Sequence, residues 1–261
     1  MESRLRVGVY KFSSCDGCQL AFLNAGQRLV ALAERVELVH FLEAGMDAPE
    51  APVDVAFVEG SISTMAEIER IRAIRERSGL LVTLGACASS GGIQALRNAA
   101  RVEAWVAALY ADPSTIDALA EASPPSRYVA VDLELWGCPV DGEQVLAAVA
   151  SLLAGAPPVV SRDKLCLACK RGGHPCVAVT RGEPCLGPVT ATGCGALCPA
   201  WGRACYGCFG PAEGAQGVTW GRWLRGLGLP AARRAGLFRQ IHSAAQPFRV
   251  AHLTLQEEED G

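Results

Sequence analysis

The segment RVGVYKFSSCDGC at residues 6–18 begins as an apolar run typical of a buried strand and ends with two cysteines. Four further strand-like runs follow along the chain: Val36–Phe41, Val53–Glu59, Leu80–Leu84 and Arg127–Leu135. Segments with apolar residues at helical spacing alternate with them: Leu20–Glu34, Ser63–Ser78, Ile93–Leu109 and Gly142–Leu153. Strand and helix in alternation predict an α/β domain over residues 1–155, with a flavodoxin-like, doubly wound parallel sheet.

Cysteines follow three of these predicted strands. Cys15 and Cys18 come after the first strand, Cys87 follows Leu80–Leu84, and Cys138 follows the last strand. The carboxyl ends of the strands in an open parallel sheet share one edge, where ligands bind in a crevice. We therefore expect these four thiols to converge on one metal site, with nearby glycines such as Gly85 allowing close approach of the backbone.

Eight more cysteines crowd the second half and bring the total to twelve: Cys166, Cys169, Cys176, Cys185, Cys194, Cys198, Cys205 and Cys208. An iron–sulfur cubane takes four thiolates, so twelve cysteines would hold three cubanes with none left over. Structural zinc is the alternative, chiefly at a lone CxxC pair. Disulfides are not expected, because the opening MESRLRVGVY lacks the apolar run of a secretory signal. We expect a reducing, cytoplasmic compartment.

Other partner classes find little support in the composition. The formal net charge is −3, and no basic patch with interleaved aromatic residues suggests nucleic-acid binding. No stretch is long and apolar enough to predict a membrane span.

The second half differs in amino-acid composition from the first. AGAPPVV at residues 154–160 is typical of a linker, and residues 161–211 are rich in Gly, Pro and Cys with little periodicity. Such a segment is expected to lack an apolar core of its own and to be held together by metal sites. Residues 212–261 are predicted to form a helical extension, with helical spacing over Val218–Gln240 and a solvated acidic tail at Glu257–Asp260.

Four short motifs in the first half resemble the small subunit of NiFe hydrogenases: SCDGC at 14–18, VEGSI at 58–62, GACAS at 85–89 and WGCP at 136–139. The same motifs resemble the related 20 kDa, cluster-bearing subunit of respiratory complex I. Residues 184–211, PCLGPVTATGCGALCPAWGRACYGCFGP, resemble the cytoplasmic hydrogenase small subunits, including the sulfhydrogenase delta type and the gamma type of deazaflavin-reducing hydrogenases. The complex I subunit ends before such a module.

The resemblance implies three 4Fe–4S clusters. The proximal set is Cys15, Cys18, Cys87 and Cys138, the distal set is Cys166, Cys169, Cys176 and Cys185, and the medial set is Cys194, Cys198, Cys205 and Cys208. This chain departs from the uptake hydrogenases in two ways. Their distal set usually begins with a histidine, where this chain has Cys166, and their medial centre often has three cysteines, where this chain has four. The split of the last eight cysteines follows the resemblance alone.

The function implied by the resemblance is electron transfer without a catalytic residue in this chain. Electrons would pass between the NiFe site of a separate large subunit and an acceptor subunit that carries flavin or iron–sulfur groups. The alternative is a coupling subunit of a complex I-like assembly, which leaves the eight extra cysteines without a role.

A few other side chains have two possible roles each. Glu59, at the end of a predicted strand, is a candidate either to relay protons or to accept N–H groups at a helix N-terminus. His174 lies two residues before Cys176 and is expected to be a neighbour of the ligands rather than a ligand. Trp220 and Trp223 are expected to be packing or interface anchors rather than redox relays.

Overall fold

Within the part of the chain that the structure describes, five strands form one parallel sheet: β1 (Leu5–Lys11), β2 (Val36–Phe41), β3 (Val53–Glu59), β4 (Ser78–Leu84) and β5 (Leu133–Leu135). Their order across the sheet is β2-β1-β3-β4-β5, and every neighbouring pair is parallel. This is the strand order of flavodoxin-like folds. The predicted fold class is confirmed.

The computed structural model describes residues 4–258. They form two compact units, divided between Val159 and Val160. The sheet lies in the first unit, and the last eight cysteines lie in the second.

In the first unit, the described residues 4–159 form six α-helices: α1 (Gly17–Leu23), α2 (Gln27–Ala33), α3 (Met65–Glu76), α4 (Gly85–Ser90), α5 (Val102–Leu109) and α6 (Gly142–Leu153). The prediction of one helix over Leu20–Glu34 was wrong, because Gly26 adopts φ 62° and ψ −134° and separates α1 from α2. A 3-10 helix at Gly92–Ala99 likewise precedes α5, where one long helix was predicted.

The fifth strand is much shorter than the predicted Arg127–Leu135. A 3-10 turn at Pro125–Arg127 precedes it, and the N–H groups of Tyr128 and Val129 both donate to the carbonyl of Pro125. Those two donors are therefore used locally and take no part in a sheet ladder.

The apolar core of the first unit lies on both faces of the sheet. Val58, Ile71 and Leu81 are fully buried within one cluster. Phe22 of α1 lies across from Phe57 of β3, with ring centroids 6.2 Å apart. The helix that carries Cys18 is thereby packed directly on the central strand of the sheet.

In the second unit, described as far as residue 258, there are six α-helices: α7 (Leu165–Arg171), α8 (Val177–Thr180), α9 (Leu197–Ala200), α10 (Gly217–Trp223), α11 (Ala231–Phe238) and α12 (Gln246–Glu257). Short 3-10 helices lie at Gly187–Val189 and Leu224–Leu227.

Apolar residues of the Cys-rich segment are buried together with apolar residues of the helical extension. Leu186 and Val189 are buried in one cluster with Phe238, Phe248 and Leu255 from α11 and α12. The helical extension thus supplies the apolar residues that residues 161–211 lack, and packing as well as any metal stabilises this unit.

The acidic tail also differs from its prediction where it is described. Glu258 forms ion pairs with Arg222, at 2.7 Å, and with the buried Arg234, at 3.4 Å, so it is not a freely solvated residue. Glu259 and Asp260 lie outside the described residues. Over residues 4–258, no helix combines the length and the hydropathy needed to cross a bilayer.

Candidate cysteine-lined metal sites

The four cysteines of the first unit meet at the carboxyl edge of the sheet. Cys18 lies in the first turn of α1, Cys87 in α4, and Cys15 and Cys138 in loops after β1 and β5. Cys18 Sγ accepts a hydrogen bond from the N–H of Val140, two residues after Cys138, and it would lie 2.2 Å from a Cβ added to Gly85, two residues before Cys87. The structure therefore brings Cys18 next to the chain segments that carry Cys87 and Cys138.

Burial dominates the chemistry of these thiols. It raises the pKa of Cys18 well above the ordinary value of 9.0, raises that of Cys87 to about 11, and raises that of Cys138 as well. The negative charge of the neighbouring sulfurs adds to the effect. Buried thiols of this kind are protonated and inert at neutral pH unless a bound metal stabilises the thiolate.

Glycines line this site where a side chain would collide with sulfur. A Cβ added to Gly85 would lie 2.2 Å from Cys18 Sγ, and one added to Gly92 would lie 2.7 Å from Cys87 Sγ. The backbone N–H of Val140 lies 3.5 Å from Cys18 Sγ and donates to it. Backbone that approaches cysteine sulfur and donates N–H groups to it is the environment that iron–sulfur sites use.

Glu59 is buried at the end of β3 and serves the first helix. Its carboxylate oxygens accept the backbone N–H groups of Cys18, at 3.0 Å, and Gln19, at 3.2 Å. Burial raises the pKa of Glu59, and these hydrogen bonds partly offset that rise. Of its two possible roles, acceptance of helix N-terminal N–H groups is the one with contacts in the structure. Glu59 therefore fixes the position of the turn that carries Cys18.

The predicted distal set is grouped around Cys166 in the second unit. Cys166 and Cys169 lie one turn apart on α7, and Cys176 is the N-cap residue immediately before α8. A Cβ added to Gly187 would lie 3.4 Å from Cys185 Sγ and 3.5 Å from Cys166 Sγ, so these two sulfurs flank the same glycine. Burial raises the pKa of Cys166 to about 11, and the charges of Cys185, Cys169 and Cys176 add to the rise.

Of the remaining four cysteines, Cys205 contacts the predicted distal set, because its backbone N–H donates to Cys185 Sγ at 3.3 Å. Burial raises the pKa of Cys198 and of Cys205, and the charges of Cys194 and Cys208, respectively, add to the rise. The predicted distal and medial sets therefore adjoin each other at Cys185 and Cys205.

Backbone N–H groups converge on the sulfurs at this junction. Cys205 N–H, at 3.3 Å, and Gly187 N–H, at 3.5 Å, both donate to Cys185 Sγ. Gly207 N–H donates to Cys205 Sγ at 3.3 Å. The backbone thus positions the two buried sulfurs and supplies part of their hydrogen bonds.

All twelve cysteines are free, so each thiol can serve as a metal ligand. Among residues 4–258, no group of three or more His, Cys, Asp or Glu side chains is arranged to hold a metal ion as the structure stands. Cysteine thiolates are the ligands of both iron–sulfur clusters and structural zinc, so the donor type is common to the two.

Three residues outside the cysteine sets contact them. The indole N–H of Trp220 donates to the carbonyl of Cys185 at 2.9 Å. His174 N–H donates to the carbonyl of Cys169 at 3.1 Å, which makes His174 a neighbour of that site. Nε2 of the buried His242 lies 2.9 Å from the carbonyl of Cys208, and burial lowers the pKa of His242 to about 4.

His242 is a residue that sequence reasoning missed. Because a carbonyl only accepts, Nε2 carries the proton and donates, and His242 is neutral. No pattern in the sequence distinguishes it from the other three histidines.

The fold and the site together define an α/β protein with a cysteine-lined crevice at the carboxyl edge of its sheet. The sequence profile of the NADH ubiquinone oxidoreductase 20 kDa subunit family matches residues 15–152. The chain belongs to this family.

Known proteins similar to this chain extend the match into the second unit. Sulfhydrogenase 2 subunit delta of Pyrococcus furiosus is 36% identical over 80% of this chain and 87% of its own length. A chain of the NAD⁺-reducing [NiFe]-hydrogenase structure in the H2-reduced state is 29% identical, with a TM-score of 0.57 over 60% of this chain and 96% of that one. The resemblance to hydrogenase subunits is confirmed.

The second unit also has a structural counterpart. A chain of the actinobacterial-type NiFe-hydrogenase from Ralstonia eutropha H16 aligns with 99% of this chain and 91% of that one, with a TM-score of 0.58. The two are 17% identical, so this likeness shows the fold alone.

Proposed function

We propose that this chain is the iron–sulfur electron-transfer subunit of a cytoplasmic NiFe hydrogenase. It would work between a large subunit that carries the NiFe site and an acceptor subunit that carries flavin or iron–sulfur groups. The observation that supports the proposal most strongly is the position of Cys18 at the sheet edge, beside the segments that carry Cys87 and Cys138, in a chain related to hydrogenase subunits.

Three 4Fe–4S clusters account for all twelve cysteines under this proposal. The proximal cluster would be held by Cys15, Cys18, Cys87 and Cys138, the distal by Cys166, Cys169, Cys176 and Cys185, and the medial by Cys194, Cys198, Cys205 and Cys208. Clusters bound there would accept and release single electrons at potentials that the protein sets through hydrogen bonds to sulfur and burial. The chain supplies no acid, base or nucleophile in this role.

The residues around the sulfurs have definite tasks. N–H groups of Val140, Gly187 and Cys205 donate to cysteine sulfur and stabilise its negative charge. Glu59 holds the first turn of α1, and with it the sulfur of Cys18, in place. Burial of Cys18 and of the other inner sulfurs keeps water away from them.

Metal analysis tests this proposal directly. The chain, purified anaerobically together with its partners, should carry about twelve iron and about twelve sulfide per copy, from three four-iron sites. Reduction with dithionite should give electron paramagnetic resonance signals of reduced 4Fe–4S centres. Zinc together with only about four iron would remove the two outer clusters from the proposal.

The family match gives one observation in favour of a second candidate. Residues 15–152 match the 20 kDa subunit of an NADH ubiquinone oxidoreductase, which suggests a coupling subunit in a complex I-like assembly. That reading leaves the cysteines of the second unit without a role. Copurification distinguishes the two, because a hydrogenase large subunit and hydrogen uptake are expected for the first and membrane partner subunits for the second.

A further inference from the structure

The loop between Cys15 and Cys18 contains a residue in a strained backbone conformation. Asp16 adopts φ 65° and ψ 3°, which lies in the left-handed region. Among residues 4–258, the other non-glycine residue with a positive φ is Ala196, and it also lies between two cysteines of the chain. Strain of this kind persists only where the surrounding structure holds the residue in place. The contacts of Asp16 therefore identify what fixes the geometry of this loop.

The carboxylate of Asp16 accepts hydrogen bonds from three side chains. Lys11 Nζ donates to Oδ2 at 2.6 Å and forms an ion pair with it. The side-chain amide of Gln19 donates to Oδ1 at 3.3 Å, and the hydroxyl of Ser14 donates to the same oxygen at 3.4 Å. A hydrogen bond between two ionised groups is about twice as strong as one between neutral groups. Lys11 is therefore the main anchor of Asp16.

Lys11 lies beside the other residue that holds this loop. It is the last residue of β1, and it is paired in the sheet with Glu59, the last residue of β3. Glu59 accepts the backbone N–H groups of Cys18 and Gln19, whereas Lys11 binds the carboxylate of Asp16. Gln19 contacts both anchors, through its backbone N–H to Glu59 and its side-chain amide to Asp16. Two opposite charges at paired strand ends therefore hold the loop at two points.

We propose that Lys11 and Asp16 are positioning residues that keep Cys15 and Cys18 in the arrangement that receives a metal cluster. That this cluster is of the iron–sulfur type rests on the proposed function. The ion pair is partly exposed, with 41% of the Lys11 side chain and 25% of the Asp16 side chain accessible to solvent. Ion pairs at such positions contribute little to the free energy of unfolding. Loss of the pair is therefore expected to loosen this loop without unfolding the sheet below it.

Alkylation of Cys18 by iodoacetamide tests the proposal on the anaerobically purified full chain. Cys18 is 7% exposed, so its sulfur becomes accessible only when the loop opens. In the presence of an iron chelator, with the modified cysteine identified by mass spectrometry, Lys11→Gln should speed the reaction about tenfold. Asp16→Asn should have the same effect, because asparagine tolerates the left-handed conformation but does not pair with a cation.

Two further variants test whether the two residues act as one unit. Lys11→Arg should react at the rate of the unaltered chain, because a guanidinium also pairs with a carboxylate. The double variant Lys11→Gln with Asp16→Asn should react no faster than either single variant, since each single change already breaks the same contact.

The chain offers a matched control on the same strand. Arg6, near the amino end of β1, forms a partly exposed ion pair with Glu37 at 3.7 Å. Arg6→Gln should leave the alkylation rate of Cys18 unchanged, and its midpoint of denaturant unfolding should match that of Lys11→Gln. Cys185, which is 8% exposed in the second unit, is the internal reference and should react at one rate in all variants.

Several results would overturn the positioning role. One is an alkylation rate of Cys18 in Lys11→Gln and Asp16→Asn equal to that of the unaltered chain. Another is a pair of effects that multiply in the double variant, because the two residues would then act independently. Faster reaction of Cys185 in the same variants would show a general loss of structure. Iron content is a separate readout: a chain that lacks iron, yet depends on Lys11 as described, would refute the proposed function and leave the positioning role standing.

Discussion

Replacement of Gly85 by alanine tests whether the sheet edge is shaped around the sulfur of Cys18. Gly85 adopts φ +79° at the start of α4, and its added Cβ would lie 2.2 Å from Cys18 Sγ and 3.2 Å from the carbonyl oxygen of Gly137. Non-bonded contact needs about 3.5–4.0 Å. The sulfur would therefore have to move by about 1.5 Å, away from the added methyl group.

The chain offers a control with the same backbone conformation. Gly45 also adopts φ +79°, and nothing lies within 4 Å of its added Cβ. Both alanines carry a left-handed strain of about 1–2 kcal/mol. Only Gly85→Ala adds the cost of overpacking, about 1–3 kcal/mol. The difference in unfolding free energy between the two variants therefore isolates the collision with sulfur.

Iron analysis and denaturant unfolding measure the two consequences. Gly85→Ala should retain about eight of about twelve iron per chain, because only the site in the first unit is disturbed. Gly45→Ala should retain all of the iron. If Gly85→Ala keeps its full iron content and is no less stable than Gly45→Ala, Cys18 does not ligate a cluster in the position that the structure gives it.

Three other predictions concern the cluster ligands, a buried histidine and the core of the second unit. Cys15→Ser should abolish hydrogenase turnover with every acceptor, whereas Cys166→Ser should slow transfer to the outer acceptor and spare hydrogen isotope exchange; equal loss of exchange in two assembled variants would refute the proximal and distal assignment. Burial lowers the pKa of His40 below its ordinary 6.5, so the folded chain resists a proton that the unfolded chain accepts. The unfolding free energy of the chain should fall as the pH drops below 6.5, and it should fall less steeply in the His40→Gln variant. Parallel pH profiles of the two proteins would contradict this expectation. In thermal unfolding, Leu255→Ala should lower the free energy of unfolding by about 2–5 kcal/mol. Leu253→Ala, at an exposed position on the same helix, should lower it by less than about 0.5 kcal/mol. Similar losses in the two variants would show that this core is loosely packed.

Much of the first unit could be predicted because its signals are local. Three elements have the predicted bounds: the strands Val36–Phe41 and Val53–Glu59 and the helix Gly142–Leu153. A buried strand or an amphipathic helix can be recognised from the pattern of apolar residues within a short segment. The convergence of the first four cysteines followed from the same strands, because parallel strand ends share an edge.

The parts that were missed depend on contacts between distant residues. His242 meets the carbonyl of Cys208 across 34 positions, and Trp220 meets that of Cys185 across 35. No periodicity encodes such pairs. The core of the second unit was missed for the same reason, because Leu186 and Val189 find their apolar partners only in α11 and α12. The ion pairs of Glu258 likewise depend on where α10 and α11 end in space.

The hydrogen bond from Cys205 N–H to Cys185 Sγ bears on which cysteines of the second unit small reagents in solution can reach. The two residues are 20 positions apart, and both are buried in one apolar cluster. Cys176, by contrast, is exposed. Because access limits the reactions of a thiol, a solvent-borne oxidant or alkylating reagent reaches Cys176 before it reaches Cys185 or Cys205.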